Sequence, residues 1–509
     1  MKYFLPFCML ALLTVAGCKN APSETDAPLQ GAVDSINQSP PRPGSPPLAA
    51  RLYEAFEQYR EPAITNLRFK HSDITALLDS LPPEFEVTVL GASVEGRSIS
   101  EVQLGEGPTP VLLWSQMHGD EPTATMAIMD IFNFFQARGD GFDSLRAEIK
   151  EALTLHFIPM LNPDGAERYQ RRNVLDVDLN RDALRLQSPE SKILKAARDR
   201  TQAVWGFNLH DKNRYYAAGD SPETASVSFL APAFNTDKDI NEGRADAMQL
   251  IVLMDEVLQQ YIPGKTGRYD DTFEPRAFGD NMQKWGTNTV LIESGGLKGD
   301  REKQYLRRLH FTILLTAFEA MANGTYENWP REAYEDIPYN ESGDFHDLII
   351  RNANRLYESQ SFLTDLAFRH REIDYQDARK YYLRGSLTDL GDMSTYHGYE
   401  EFDAAGYTIV PGKVYAKALP DVAALRQTDL QSLVRQGYTD FQITNLPHSS
   451  VSAQWPVALL APGKQPNNTI YQYGNPSFLL EKAGQYDYVV VNGFIYSLLE
   501  QNPAFDLPQ

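Results

Sequence analysis

The stretch Val111-Leu112-Leu113-Trp114-Ser115-Gln116-Met117-His118-Gly119-Asp120-Glu121 decides how this chain is read. A short apolar run reads as a buried strand. It gives way to a glycine-containing turn that carries a histidine and a glutamate three residues apart. On a tight strand-to-helix turn both side chains can face one ion. The helical apolar spacing of Ala124 to Phe135 follows at once. A strand delivering polar side chains into a turn before a helix is how α/β proteins place chemistry at the carboxyl ends of their strands.

The pattern repeats on either side. Leu153 to Pro159, Val204 to Leu209 and Thr289 to Ile292 read as further strands, and Met248 to Leu258 as a helix. Alternation over about residues 51–330 predicts an α/β fold, a mixed central sheet with helices on both faces. From about residue 340 short strands and Gly-Tyr or Pro-Gly turns dominate, so a smaller β-rich domain is expected over 340–509.

The 509 residues carry 47 Lys and Arg against 68 Asp and Glu, a formal charge of −21. Such acidity argues against sequence-independent nucleic-acid binding, which needs clustered cations. Both cysteines, Cys8 and Cys18, lie in the first 18 residues. The rest of the chain therefore offers neither disulfide nor thiolate, and any metal must be held by His, Asp and Glu. Lys2 followed by a mostly apolar run to Ala16 reads as a signal peptide over residues 1–17. Its end, Val15-Ala16-Gly17-Cys18, resembles the bacterial lipobox. That resemblance implies lipidation at Cys18, a membrane anchor and a place in the bacterial cell envelope. The Pro- and Ser-rich residues up to 50 read as a disordered tether.

His210 ends the strand-like run Trp205-Gly206-Phe207-Asn208-Leu209. With His118 and Glu121 it would make a set of two imidazoles and one carboxylate, which leaves a position open on zinc, as catalytic sites require. A lone His-x-x-Glu is weak evidence, and the surrounding motifs carry the case. These are Met117 to Glu121, Asn162-Pro163-Asp164-Gly165, Arg171-Arg172-Asn173, Asp178-Leu179-Asn180-Arg181-Asp182, Asn208 to Asp211 and Val290 to Gly296. In this order, over roughly residues 85–320, they resemble the M14 zinc carboxypeptidase family.

The resemblance implies one zinc ion per chain, held by His118, Glu121 and His210, with Glu293 as general base. It implies Arg171 as the oxyanion-stabilising arginine; Arg172 is its neighbour, but Arg171 stands two residues before Asn173. Asn180 and Arg181 match the pair that grips a substrate carboxylate, for which a planar guanidinium is suited. Tyr269 is a candidate for the tyrosine that covers the substrate, with Tyr215 and Tyr216 as alternatives. The selector of the substrate side chain is expected within Pro275 to Asp280, where Asp280 would favour a basic group. Adjacency also suggests Asp211 as the group that orients a ligand histidine.

The implied partner is a peptide with a free C-terminus. A deacylase of N-acyl amino acids and an inactive surface binding lipoprotein are the alternatives. In the C-terminal region Asp347 to Ala353, Phe402 to Gly412 and Tyr486 to Gly493 resemble strands of the small β-sandwich of amidohydrolases. Lys413 to Lys417 then lacks the histidine pair that opens that family's barrel, and turn chemistry alone would give similar motifs.

Overall fold

The computed structural model describes residues 47–505 except Asp344 and Gln454. The signal-peptide, lipidation and most of the tether expectations lie outside the described residues. Residues 47–50, expected to belong to the tether, are helical. A helix spans Pro47–Ala55, with proline in its first turn, where its missing N–H costs nothing. Ala49 and Leu52 are fully buried in the main core, and Tyr53 stacks on Tyr261 with ring centroids 3.9 Å apart. Tertiary burial holds this nine-residue helix, which is too short to be stable alone.

Among the described residues ten strands precede Phe345. They are β1 (Glu86–Ala92), β2 (Ser98–Leu104), β3 (Thr109–Trp114), β4 (Leu153–Ile158) and β5 (Trp205–Asp211), then β6 (Tyr216–Ala218), β7 (Val227–Leu230), β8 (Thr266–Arg268), β9 (Asn288–Ser294) and β10 (Asn340–Ser342). Eight of them form one mixed sheet in the order β1-β2-β4-β3-β5-β9-β7-β8. The central strands β4, β3, β5 and β9 run parallel. β6 and β10 form a separate antiparallel pair.

Period-two alternation sorts the side chains of the central strands. Val111, Leu113, Trp205, Phe207, Leu209, Val290 and Ile292 enter one core, shared with the helices Thr123–Gln136, Glu242–Leu258 and Gln304–Asn323. Leu112 and Trp114 enter a smaller core on the other face, beneath Phe278 and Met282 of the helix Phe278–Lys284. Helices thus cover both faces, as expected for parallel strands buried on two sides.

The C-terminal half holds a second eight-stranded sheet. The long strands β11 (Phe345–Tyr357), Gln360–Tyr375 and Lys380–Gly391 run antiparallel, and His397–Asp403 pairs with β11 in parallel. Thr408–Pro411, Phe478–Lys482, Gln485–Val491 and Phe494–Ser497 continue the sheet. Residues 413–460 depart from a purely β reading. They form three parallel strands, Lys413–Leu419, Tyr438–Ile443 and Ala458–Leu460, with the helices Val422–Arg426 and Leu430–Arg435 between the first two. Parallel neighbours need such a crossover, and Asp421 and Asp429 cap the two helices.

Candidate metal centre and active site

Two loops interlock to build the site. Gly119, in the turn after β3, packs so tightly on Gly165 that a Cβ there would lie 2.0 Å from the Gly165 carbonyl carbon. Only glycine fits such an approach of two backbones. Asn162 caps the helix Pro163–Arg168 by accepting from the Gly165 N–H at 2.9 Å. Its amide also donates to the Met117 carbonyl at 3.2 Å and the Arg171 carbonyl at 3.4 Å. One buried side chain therefore ties the His118 turn to the Arg171 loop.

His118, Glu121 and His210 converge. Their candidate ligand atoms all lie within 4.8 Å of one another, and all three residues are buried. His118 Nδ1 is 2.8 Å from Glu121 Oε1, and His210 Nδ1 is 2.7 Å from Glu121 Oε2. On its far side His118 Nε2 donates to Asp178 Oδ1 at 3.1 Å. That bond assigns a proton to Nε2 and leaves Nδ1 facing Glu121, to which it donates until a metal takes the proton's place, the orientation expected of a ligand histidine. The same Asp178 oxygen accepts from the Asn180 N–H at 3.0 Å, so it also caps the short 3-10 turn Leu179–Arg181. The donor chemistry and convergence fit a single zinc ion.

Asp211 does not orient a histidine. Its carboxylate takes the Thr123 hydroxyl at 2.6 Å and the Lys303 ammonium at 3.1 Å. The reason is the alternation of β5, which sends neighbours to opposite faces. What Asp211 contributes is its backbone N–H, 3.2 Å from Glu121 Oε2. The carboxylate that meets His118 from behind is Asp178, a residue of the Asp178 to Asp182 motif to which the sequence assigns no role of its own.

Glu293 pairs in register with His210 across the parallel β5–β9 ladder and with Ser228 across the antiparallel β7–β9 ladder. Directly opposite residues point to the same face, so the ladder sets Glu293 beside the candidate ligand His210. Burial pushes its carboxyl above the usual range and the Glu121 charge adds to this, while Lys212 opposes both. The Tyr269 hydroxyl donates to Glu293 Oε2 at 3.3 Å. Tyr216 meets the Tyr269 ring edge-on, with centroids 6.3 Å apart. Tyr215 is committed elsewhere, donating to Asp347 at 2.5 Å and to the His370 carbonyl at 3.0 Å.

Arg171 Nη1 lies 3.0 Å from Glu121 Oε1 and 3.0 Å from His118 Nδ1, and its Nε donates to Asp178 Oδ2 at 3.2 Å. Its side chain remains 44% exposed, so the guanidinium borders both the metal donors and solvent. Arg172 turns away to the Asp176 carbonyl at 2.8 Å. Asn180 Oδ1 accepts from the Phe278 N–H at 2.9 Å. Arg181 is exposed, 3.6 Å from Glu274. Asp280 is buried and accepts from the Glu274 N–H at 2.9 Å; burial raises its carboxyl to about 6.

Lys212 was not singled out from sequence. It is two residues past His210, and burial lowers its ammonium to about 7 while the Glu293 charge opposes that shift. No sequence motif marks it, because its neighbours come from β7 and β10.

The electrostatics predict proton release on metal binding. Burial alone disfavours the His118 imidazolium, but the Glu121 charge and the Asp178 hydrogen bond outweigh it and raise the group to about 9. Below that pH the metal-free site holds a proton that zinc must displace. Zinc added near pH 8 is expected to release about one proton, with affinity falling about tenfold per pH unit below 9. Calorimetry in buffers of different ionisation enthalpy checks this. Identical heats in all buffers would contradict the arrangement.

Comparison with known proteins supports the same reading. Residues 71–228 match the Peptidase_M14 family, described as zinc carboxypeptidase. Over 178 residues the chain is 28% identical to carboxypeptidase SOL1 of Arabidopsis thaliana, covering 29% of this chain and 35% of that protein. It is also 28% identical over 126 residues to an uncharacterised protein of Zymomonas mobilis, covering 24% of this chain and 32% of the other. The chain thus spans about a third of the length of these relatives. A solved metallo-carboxypeptidase from Burkholderia cenocepacia aligns with a TM-score of 0.40 and 19% identity, over 50% of this chain and 70% of that one. Family match, interlocked motifs and converging donors agree: over residues 71–228 the chain carries a domain of the zinc carboxypeptidase family.

Proposed function

We propose that this protein is a zinc-dependent carboxypeptidase that hydrolyses the C-terminal amide bond of a peptide. The observation that carries the reading is the pairing of Glu293 with His210 on adjacent parallel strands, which sets a second, raised carboxyl beside the His-Glu-His donors. His118, Glu121 and His210 would hold one zinc ion. What zinc supplies at such a site is Lewis-acid polarisation of a carbonyl and a more acidic water.

The chain's own groups divide the remaining work. Glu293 takes a proton from the attacking water and later gives it to the departing nitrogen, a shuttle favoured by a pKa closer to neutrality. Arg171, at the border of the donors and solvent, stabilises negative charge as it develops on the scissile carbonyl oxygen. Tyr269 holds Glu293 by its hydroxyl and walls the crevice. Asn180 is fixed through Oδ1 to the Phe278 N–H, which presents its amide hydrogens, and exposed Arg181 lies beside it. Together they suit a terminal carboxylate.

Arg181→Ala tests the demand for a free terminus. The expected result is a KM for a peptide raised roughly 10- to 100-fold, the loss of one charge-assisted pair, with kcat less affected. The wild-type preference for the peptide over its C-terminal amide should shrink with it. Equal KM values in the wild type and the variant would refute the assignment.

A further inference from the structure

The C-terminal half begins inside the catalytic crevice. β10 pairs with β6, setting Asn340 opposite Ala218. Asn340 Oδ1 accepts from Lys212 Nζ at 3.0 Å and from the Ser228 hydroxyl at 2.8 Å. Lys212 Nζ also donates to Ser228 Oγ. Ser228 is the β7 residue paired with Glu293. The three side chains form a closed triangle on the strand that flanks the general base.

The surroundings make room for this triangle and little else. A Cβ on Gly267 would lie 2.3 Å from Asn340 Oδ1, and one on Gly295 would lie 2.9 Å from Lys212 Cε. The Lys212 ammonium stands 5.2 Å from the Tyr216 ring centroid and 5.5 Å from that of Tyr269. Both distances suit a cation–π contact. Tyr269 in turn donates to Glu293. The lysine stem is flexible and its charge compact, so its position depends on its acceptors. Those acceptors are neutral oxygens of Ser228 and Asn340. Further contacts clamp the same loop: the Tyr399 hydroxyl donates to the Arg214 carbonyl at 2.5 Å, and Asp347 accepts from Tyr215.

We propose that the C-terminal half completes the catalytic site, with Asn340 fixing Lys212 so that its ammonium sets the place of Glu293 and Tyr269. Lys212 and Asn340 are positioning residues. This role rests on Glu293 acting as the base, and it gives the second half of the chain a part in the reaction. Asn340 and Lys212 lie 128 residues apart, and the pairing of β10 with β6 brings them together.

The test uses the full zinc-loaded chain and the variants Asn340→Ala, Asn340→Asp and Lys212→Met. Asn340→Ala should lower kcat roughly 10- to 100-fold, the usual penalty of a displaced catalytic group, while KM changes less than threefold. Asn340→Asp keeps an oxygen acceptor for the ammonium and should restore most of kcat. The combined Lys212→Met and Asn340→Ala protein should lose no more than the worse single variant, because the two act as one unit. Acetylation of surface amines, followed by mass spectrometry, gives a readout apart from turnover. Lys212 should be protected in the wild type and in Asn340→Asp, and exposed in Asn340→Ala. Failure of aspartate to rescue, additive losses, or unchanged Lys212 protection in Asn340→Ala would overturn the proposal. A wild-type chain inactive on peptides would sink the proposed reaction, and Lys212 protection would still decide the link to Asn340.

Discussion

Glu293→Gln is expected to leave a folded, zinc-loaded protein whose peptide turnover is lower by roughly two to four orders of magnitude, the usual worth of a placed acid–base group. The reasoning starts from the ladder. Glu293 is held by backbone pairing to His210 and Ser228, which a glutamine preserves. The substitution keeps the shape of the side chain and an oxygen for the Tyr269 hydroxyl. It removes a carboxylate facing Glu121, so the metal donors lose a like charge and not a ligand. What disappears is the capacity to take a proton from water and return it to nitrogen. Elemental analysis should therefore show unchanged zinc while kcat collapses. KM should hold, since Asn180 and Arg181 are untouched. Near-normal turnover by the glutamine variant would require another base and would end the proposed mechanism.

The second large effect concerns stability. Arg307→Met should destabilise the first half of the chain by about 3–5 kcal/mol, the usual cost of leaving one member of a buried ion pair alone. Arg307 and Asp130 are fully buried, joined through Nε and Oδ2 at 2.6 Å and through Nη2 and Oδ1 at 2.5 Å. The remaining donors reach the carbonyls of Ile64 at 2.6 Å and Glu61 at 3.1 Å. One guanidinium thus ties the helices Thr123–Gln136 and Gln304–Asn323 to the segment after the first helix. Methionine fills much of the volume but takes away the cation facing Asp130, whose buried carboxyl must then stay charged without a counter-ion or take up a proton. Burial already raises that carboxyl to about 6 despite the arginine. Adding Asp130→Leu to Arg307→Met should recover part of the loss, because the uncompensated charge goes with it. Only part returns, since the Glu61 N–H loses its acceptor at 2.7 Å. Urea titrations of the wild type and both variants measure the differences. A single variant within 1 kcal/mol of wild type would mean that Asp130 finds water or another partner.

Several predicted elements lie close to their observed bounds. Val111 to Trp114 falls within β3, Leu153 to Pro159 ends one residue beyond β4, and Thr289 to Ile292 falls within β9. Each is rich in apolar side chains that leave water, and Val111 to Trp114 and Thr289 to Ile292 end where polar residues begin. The helix Pro47–Ala55 was missed because its local pattern is weak and its stability comes from the core beneath it. The parallel strands of 413–460 were missed because short runs do not reveal which neighbour they will pair with.

The sequence by itself determined what is local or carried by side-chain type. Histidine and glutamate three apart after a strand, cysteine confined to the first 18 residues, and apolar alternation all act through nearest neighbours along the chain. They were enough for the α/β class and for limiting any metal to His, Asp and Glu donors, while the motifs around His118 and His210 pointed to the donor set. Tertiary structure decided what depends on which distant strands lie side by side. Register put Glu293 beside His210, sent Asp211 to the opposite face and brought Asp178 behind His118. It also carried Asn340 from the second half of the chain to Lys212. Hydrogen bonds and charges act within a few ångströms, whatever the separation in sequence. Partners 128 residues apart therefore leave no mark on either local pattern, and only packing reveals them.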